Sequence, residues 1–265
     1  MIIVAERLNA ARKAIREAIE KKDQSHIIKE AKDQFDAGAD VIDVNAGAHP
    51  DREEADMSWM IDLVQSTVDA RVSIDSSSSS VILKNIHKVK KTPMINSVSL
   101  EKKKLETMSP ALTEREADII ALCMDDSGLP KTADQAYENA MRITDTLERL
   151  GIKREHIFID PLVQTISADH TKGIMVLETI RRITRDIAGI HIICGLSNIS
   201  YGMPERFLIN RTFLTLAIGA GLDAAIIDPL DKKLMTAVSV TEMLTGKDPY
   251  CKNYLTQFRK NSIVP

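Results

Sequence analysis

The sequence has little cysteine. Cys123, Cys194 and Cys251 are far apart, and no CxxC pair occurs among its 265 residues. Neither a disulfide framework nor a thiolate zinc site is encoded. Cys123 and Cys194 sit in strand-like runs and read as reduced core thiols. No apolar run approaches the ~18 residues that a membrane-spanning helix needs. Residues 1–5 are apolar, but Glu6 and Arg7 interrupt them at once, unlike a signal peptide. An excess of charge is missing too. The formal net charge is −3, so no basic field nominates nucleic acid or a membrane surface as partner. These absences make a soluble cytoplasmic protein the expectation. No Gly-Gly pair occurs, and the first apolar run is followed by Leu8-Asn9-Ala10-Ala11-Arg12, without glycine. That argues against an open dinucleotide-binding sheet.

What is present is a repeated alternation. Short apolar runs lie at residues 2–5, 41–44, 71–74, 94–95, 119–124, 157–159, 191–194 and 224–227. Helix-period sequence follows each run, at about 10–22 and 25–37, 52–68, 80–89, 101–117, 134–150, 173–187, 206–220 and 232–244. Alternating strands and helices imply a parallel sheet with helices outside. Eight units in 265 residues match the ~250 typical of a (β/α)8 TIM barrel. An internal echo agrees: Gly38 and Gly221 each end a helix, an Asp follows within two residues, and a buried strand comes next. With no linker or break in composition, residues 1–265 read as one domain.

Barrel active sites lie at the carboxyl ends of the strands. Those ends here are Glu6, Asp43 with Asn45, Asp75, Asn96, Asp125, Asp160, Ser197 with Asn198, and Asp228. They offer carboxylates and carboxamides and few cations. A phosphate site is unsuited, because the eighth run ends in Asp228-Pro229. A Schiff-base site is unsuited, because no run contains lysine. The six His are scattered, and His49, His170 and His191 read as solvated or capping groups, so no intrinsic metal is expected. What suits such a ring is a flat, neutral ligand with several N–H donors and a carbonyl, such as the 2-amino-pyrimidinone edge of a pterin. A strand-end Asp can equally cap the next helix, an alternative left open for Asp125 and Asp228. The run HIICGLSNIS, residues 191–200, carries the most specific polar group, Asn198, after a buried strand and a close-approach glycine.

Two motif fragments mislead. Residues 219–224 have dinucleotide-fingerprint spacing but precede a strand instead of following one. His170-Thr171-Lys172-Gly173 is half of a corrinoid-ligand DxHxxG motif, with Ala168 where the Asp belongs.

The ordered set Ala5-Glu6-Arg7-Leu8-Asn9, Asp43-Val44-Asn45, Ile74-Asp75-Ser76, Ile95-Asn96-Ser97, Ile159-Asp160-Pro161, Gly195-Leu196-Ser197-Asn198 and Ile209-Asn210-Arg211-Thr212-Phe213-Leu214 resembles the methyltetrahydrofolate:corrinoid methyltransferases. These share a pterin-binding barrel with dihydropteroate synthase and with the folate module of cobalamin-dependent methionine synthase. The resemblance implies that Asp75, Asn96 and Asp160 hold the pterin of tetrahydrofolate or 5-methyltetrahydrofolate, and that Asn198 hydrogen-bonds its N5. It implies that Gly195, Ser197 and Arg206 line the pocket, with Glu6, Asn9, Asp43, Asn45 and Met124 as further pocket residues. It implies methyl transfer to or from the cobalt of cobalamin on a partner corrinoid protein, direction open, and a homodimer is expected. Loops at 46–58, 125–134, 162–172 and 199–205 are candidates for the partner's docking rim. Ala5, where the family often has Gly, and Tyr201, at a position of smaller or amide side chains, depart from the pattern. Two rival readings remain: a dihydropteroate synthase-like condensing enzyme, whose Asn-Val-Thr-Pro-Asp-Ser-Phe stretch is missing, and a non-catalytic pterin-binding subunit.

Overall fold

A computed structural model describes residues 1–264. Its strands are β1 (Ile2–Asn9), β2 (Val41–Asn45), β3 (Arg71–Asp75), β4 (Met94–Ser99), β5 (Asp118–Leu122), β6 (Ile157–Asp160), β7 (His191–Ile192) and β8 (Ala224–Ile227). They form one eight-stranded parallel sheet in the order β7-β6-β5-β4-β3-β2-β1-β8. The ring closes between its ends, where Gly195 bridges Ile226 and the Ile226 amide donates to the Cys194 carbonyl at 2.9 Å. Outside lie α1 (Lys13–Lys21), α2 (Gln24–Asp36), α3 (Glu53–Thr67), α4 (Ser79–Asn85), α5 (Lys102–Glu114), α6 (Ala133–Arg149), α7 (Lys172–Asp186), α8 (Arg206–Ala220), α9 (Lys232–Leu244) and α10 (Lys252–Arg259). The architecture is the (β/α)8 barrel that the alternation implies.

Side chains alternate along each strand, and the two faces bury different things. Outward residues such as Ile3, Ala5, Ile42, Val44, Ile74 and Ile159 join the large layer under the helices. Inward residues Val4, Val41, Met94, Ile120, Phe158, Ile193 and Ala224 form a separate plug filling the barrel. One step of two residues toward the carboxyl end changes the chemistry. Val4 is followed inward by Glu6, Val41 by Asp43, Met94 by Asn96 and Phe158 by Asp160. The apolar plug is therefore the floor of the polar ring.

Two strands run further than their apolar runs suggest. β1 continues through Glu6 and Arg7 to Asn9, with a register shift between Ala5 and Leu8. The Arg7 amide that the shift removes from the ladder donates to Gln34 Oε1 at 2.9 Å, so charged residues do not end the strand. β4 continues past Asn96 to Ser99, with a second shift between Asn96 and Val98. The strand expected at 119–124 instead starts at Asp118 and stops at Leu122, leaving Met124 and Asp125 in the following loop. Gly221 shows why a glycine ends α8: its φ is +126°, and a Cβ there would lie 2.0 Å from Thr184 Oγ1.

The end opposite the mouth is tied by charges. His191 Nδ1 lies 2.8 Å from Asp223 Oδ2, and the His191 ring stacks on Phe158 with centroids 4.5 Å apart. Here His191 is a partner for Asp223, far from any ligand role. That hydrogen bond raises the His191 pKa above its ordinary 6.5. A raised histidine stabilises the fold fully below the unfolded value and less as pH rises through the folded one. Thermal stability should therefore decline as pH rises above about 6.5 by more in the wild type than in His191→Gln, read as Tm against pH. Parallel curves would remove the linkage.

Candidate active site

The ends of β2, β3, β4 and β6 bring Asp43, Asn45, Asp75, Asn96 and Asp160 to the mouth. Asn45 Nδ2 donates to Asp75 Oδ2 at 3.0 Å, and Asn96 Nδ2 donates to Asp43 Oδ1 at 3.3 Å. The β2, β3 and β4 ends are thus one hydrogen-bonded cluster. Asp43 is 4% exposed and Asp160 is 7% exposed. Burial pushes the Asp43 carboxyl up, and the charge of Asp75 adds to it. Burial likewise raises Asp75, against the opposing hydrogen bond from Asn45. Asp160, at the end of β6, accepts from the Leu162 amide at 2.8 Å, and burial pushes it up to about 7. Leu162 holds a positive φ of 65°, a strained turn that folds the chain back over Asp160. Carboxyls at the end of a buried strand suit a ligand that supplies further N–H groups.

After β7 the chain does not open into a loop. Leu196–Ser200 forms a short 3₁₀ turn carrying Ser197 and Asn198. A Cβ at Gly195 would lie 3.3 Å from Asn198 Nδ2, so glycine leaves that amide room. Arg206, at the start of α8, donates to the Ser197 carbonyl at 2.9 Å and to Ser200 Oγ at 3.1 Å, clamping the turn. Arg206 therefore holds this backbone and also lines the cavity beside it. Two cavities flank the turn. One, of about 320 Å³, is lined by Glu6, Ser197, Arg206, Asn210 and Asp228 among others. The other, of about 330 Å³, has Asn198 on its wall with Leu129, Val163 and Tyr201. Burial, then the charge of Asp228, raises Glu6 to about 7.

Some expected residues are engaged elsewhere. Asn9 Oδ1 accepts from the Ala11 amide at 2.9 Å, a local turn after β1. Asp228 is bound by Arg7 Nη1 at 2.8 Å, so the mouth has an arginine that the list of strand ends omits. Asp125 is turned outward to Ser127 and to Arg142 at 2.7 Å, contacts that pull its pKa down to about 2. Neither Asp228 nor Asp125 caps a helix; Asp231 and Thr132 cap α9 and α6. Met124 sits partly buried beyond β5, its carbonyl accepting from Leu100 at 3.0 Å. Lys104 on α5 is a cation near Asp75 whose pKa burial lowers, hidden in the sequence within a charged helix.

The family model described as pterin binding enzyme matches residues 5–228. The chain belongs to the pterin-binding enzyme family. It is an enzyme of the methyltransferase branch. Over its whole length it is 34% identical to the methylcorrinoid:tetrahydrofolate methyltransferase of Eubacterium limosum, covering 98% of that protein. It is 29% identical over 240 residues to methionine synthase of Mycobacterium tuberculosis, a match spanning 86% of this chain and 20% of the synthase. Among solved structures, a dihydropteroate synthase of Coxiella burnetii in complex with pteroic acid superposes with a TM-score of 0.71 at 13% identity, covering 94% of this chain and 93% of the other. A dihydropteroate synthase from Xanthomonas albilineans in complex with 7,8-dihydropteroate gives the same TM-score of 0.71 at 13% identity, over 94% of this chain and 93% of its own. Identity so low shows a shared fold alone. The family members thus share the barrel, and the methyltransferase branch rests on the full-length relative.

Proposed function

We propose that the enzyme moves a methyl group from a methylated corrinoid, carried by a partner protein, to N5 of tetrahydrofolate. The observation that carries this reading is the full-length relationship to a methylcorrinoid:tetrahydrofolate methyltransferase, supported by the buried carboxyls Asp43 and Asp160 at the strand ends and by Asn198 on the turn after β7. Asp75 and Asp160 accept from the 2-amino group and adjacent ring N–H of the pterin, and Asn96 pairs with its amide edge. Asp160 is buried and Asp75 and Asn96 are partly buried, which strengthens these bonds relative to water. Ser197 and Gly195 shape the wall beside N5.

In the transfer, the N5 lone pair forms the new C–N bond and the Co–C bonding pair stays on cobalt. N5 is left as a methylated ammonium, whose proton then leaves to solvent. Asn198 is no acid at neutral pH. Its carbonyl accepts from the N5–H, a bond that strengthens as positive charge grows on nitrogen. The reverse reaction passes through the same protonated N5, so one residue serves both directions.

The test mixes the protein with tetrahydrofolate and methylcob(III)alamin and follows the corrinoid spectrum; 5-methyltetrahydrofolate with cob(I)alamin is run beside it. Demethylation of the corrinoid is expected. Folate binding without any corrinoid change would leave a non-catalytic pterin subunit. Condensation of a dihydropterin diphosphate with 4-aminobenzoate would make the chain a synthase instead. Within the same series, Asp75→Ala should weaken folate binding by roughly 1–3 kcal/mol, the cost of a lost charge-assisted bond. Calorimetry showing unchanged affinity in both Asp75→Ala and Asp160→Ala would remove the pterin assignment.

A further inference from the structure

Glu53 stands at the edge of the polar ring and has no part in the methyl-transfer reading. It is the first residue of α3, and it is 9% exposed. The other acids of that turn have cations: Glu54 takes Lys84 Nζ at 2.6 Å, and Asp56 takes Lys22. Glu53 takes a hydroxyl instead. Among the described residues the one donor to its side chain is Ser76 Oγ, itself buried. Ser76 directly follows Asp75 and is tied twice more. Its amide donates to the Asn96 carbonyl at 3.0 Å, and its Oγ accepts from the Ser78 amide at 3.0 Å, at the start of α4. Glu53 also approaches Asp75 from the β2 side. A Cβ at Gly47 would lie 3.9 Å from Glu53 Oε1 and 3.4 Å from Asn45 Oδ1, so Glu53 and the carboxamide that donates to Asp75 flank the same glycine. A buried acid with a neutral partner costs stability that an amide in its place would not.

We propose that Glu53 is a positioning residue for the pterin site: through Ser76 it fixes the end of β3 that carries Asp75, and its negative charge opposes a second charge on Asp75. This rests on the folate reading above. The tether follows from the contacts. Asp75 lies between Ile74, packed in the outer core, and Ser76, pinned at once to β4, α4 and α3. Its carboxyl is thereby held in one place before any ligand arrives. Charges of both signs face Asp75. Asp43 on β2 and Glu53 on α3 are acids, and Lys104 on α5 is the cation. Asp43 in turn faces Glu6 on β1. Burial is the main cause that raises Asp75; the Asn45 hydrogen bond opposes it, Glu53 adds to it, and Lys104 opposes it. A ligand edge with two N–H donors binds the ionised form, so binding removes a proton that Glu53 helps to hold. Glu53 thus sets how far the pH must rise before Asp75 accepts from a ligand. Glutamine at this position keeps an acceptor for Ser76 and loses the charge.

The experiment measures 5-methyltetrahydrofolate affinity at pH 6 and pH 8 for wild type, Glu53→Gln and Ser76→Ala. Asp160 titrates in all three proteins, so each variant is read as a ratio to wild type at the same pH. For Glu53→Gln that ratio is expected to be about threefold or more higher at pH 6 than at pH 8, because more Asp75 is ionised at the lower pH. A ratio equal at both values overturns the charge role, since a merely structural glutamate gives a parallel change. Ser76→Ala keeps the charge and removes the tether, and roughly threefold to tenfold weaker binding is expected at both pH values alike. Unchanged affinity in Ser76→Ala overturns the tether. Should Glu53→Gln not fold, Glu53→Met removes the same charge without a buried amide, and the same pH-selective change is expected. If the wild type binds no folate, the folate reading has failed, and the ligand-free protein still decides the role of Glu53. The carbon-13 signal of the Asp75 carboxyl, assigned by its loss in Asp75→Asn, should titrate at lower pH in Glu53→Gln than in wild type. An unmoved midpoint overturns the proposal with or without folate.

Discussion

Replacing Asn198 with alanine will slow methyl transfer by on the order of 10²–10³, or about 2–4 kcal/mol in the barrier, the usual cost of one preorganised transition-state hydrogen bond. Folate affinity will change less than the rate. The reason is the timing of charge. In the ground state N5 is a neutral amine and the bond from Asn198 is ordinary. In the transition state N5 carries positive charge, and the same carbonyl accepts from a charged donor, roughly twice as strong a bond. The loss must appear in both directions of transfer. A purely structural Asn198 would behave otherwise: the Leu196–Ser200 turn would loosen, stability would fall by about 1 kcal/mol, and binding and rate would fall together. The structure makes the separation feasible. The turn is held by Arg206 on the Ser197 carbonyl and by the Asn198 backbone carbonyl, which accepts from Tyr201, and alanine leaves both bonds in place. Single-turnover transfer measured beside folate affinity decides. A folded, folate-binding variant within about threefold of wild type would leave Asn198 as scaffold.

The barrel was legible because its strands are buried on both faces. Runs such as Val41–Asn45 and Ile157–Asp160 therefore stand out as apolar blocks between helical periods. What the pattern could not show is that β1 and β4 run on past their apolar blocks. In both, a register shift at the mouth lets polar residues stay in the sheet, and the amide released from β1 finds a partner in Gln34, 27 residues away in the chain. A bulge of this kind leaves no local mark on hydropathy.

The polar ring was legible for a related reason. A strand that enters from an apolar plug and ends in Asp or Asn breaks its own pattern, and it does so at Asp43, Asn96 and Asp160, while β3 reaches Asp75 past the buried Ser73. Which of these groups meet one another is set by the register between strands, as with Asn45 on Asp75 and Asn96 on Asp43. The cations were harder to find. Arg7 and Lys104 lie in a strand extension and on a helix, where lysine and arginine are ordinary surface residues. Only packing shows that Arg7 binds Asp228 and that Lys104 sits beside Asp75.

Folate binding will weaken as pH falls through 7, and Asp160→Asn will abolish most of that dependence. Asp160 is held up at about 7 by burial. The pterin edge presents donors, so only the ionised carboxyl can accept from two of them at once. Binding therefore lowers the Asp160 pKa, and affinity is fully present above 7 and lost below it. One such group costs up to tenfold per pH unit, or on the order of 10² in affinity by about pH 5. Asp75 is raised by burial as well, and its titration would steepen the slope beyond one proton. In Asp160→Asn the affinity should start low, by roughly 1–3 kcal/mol at pH 8, and vary less with pH, because the amide does not titrate. The same substitution should raise Tm at pH 8, since it removes the penalty of ionising a carboxyl that is 7% exposed. Below about pH 4 both forms are neutral in the folded and unfolded chain, and that gain should disappear. Calorimetry in buffers of different ionisation enthalpy gives the proton count directly: near pH 6 the wild type should release protons on binding folate, and Asp160→Asn fewer. Affinity that stays level from pH 5 to 8 in the wild type would mean that Asp160 never changes its protonation on binding, and that the buried carboxyls serve the barrel rather than the ligand.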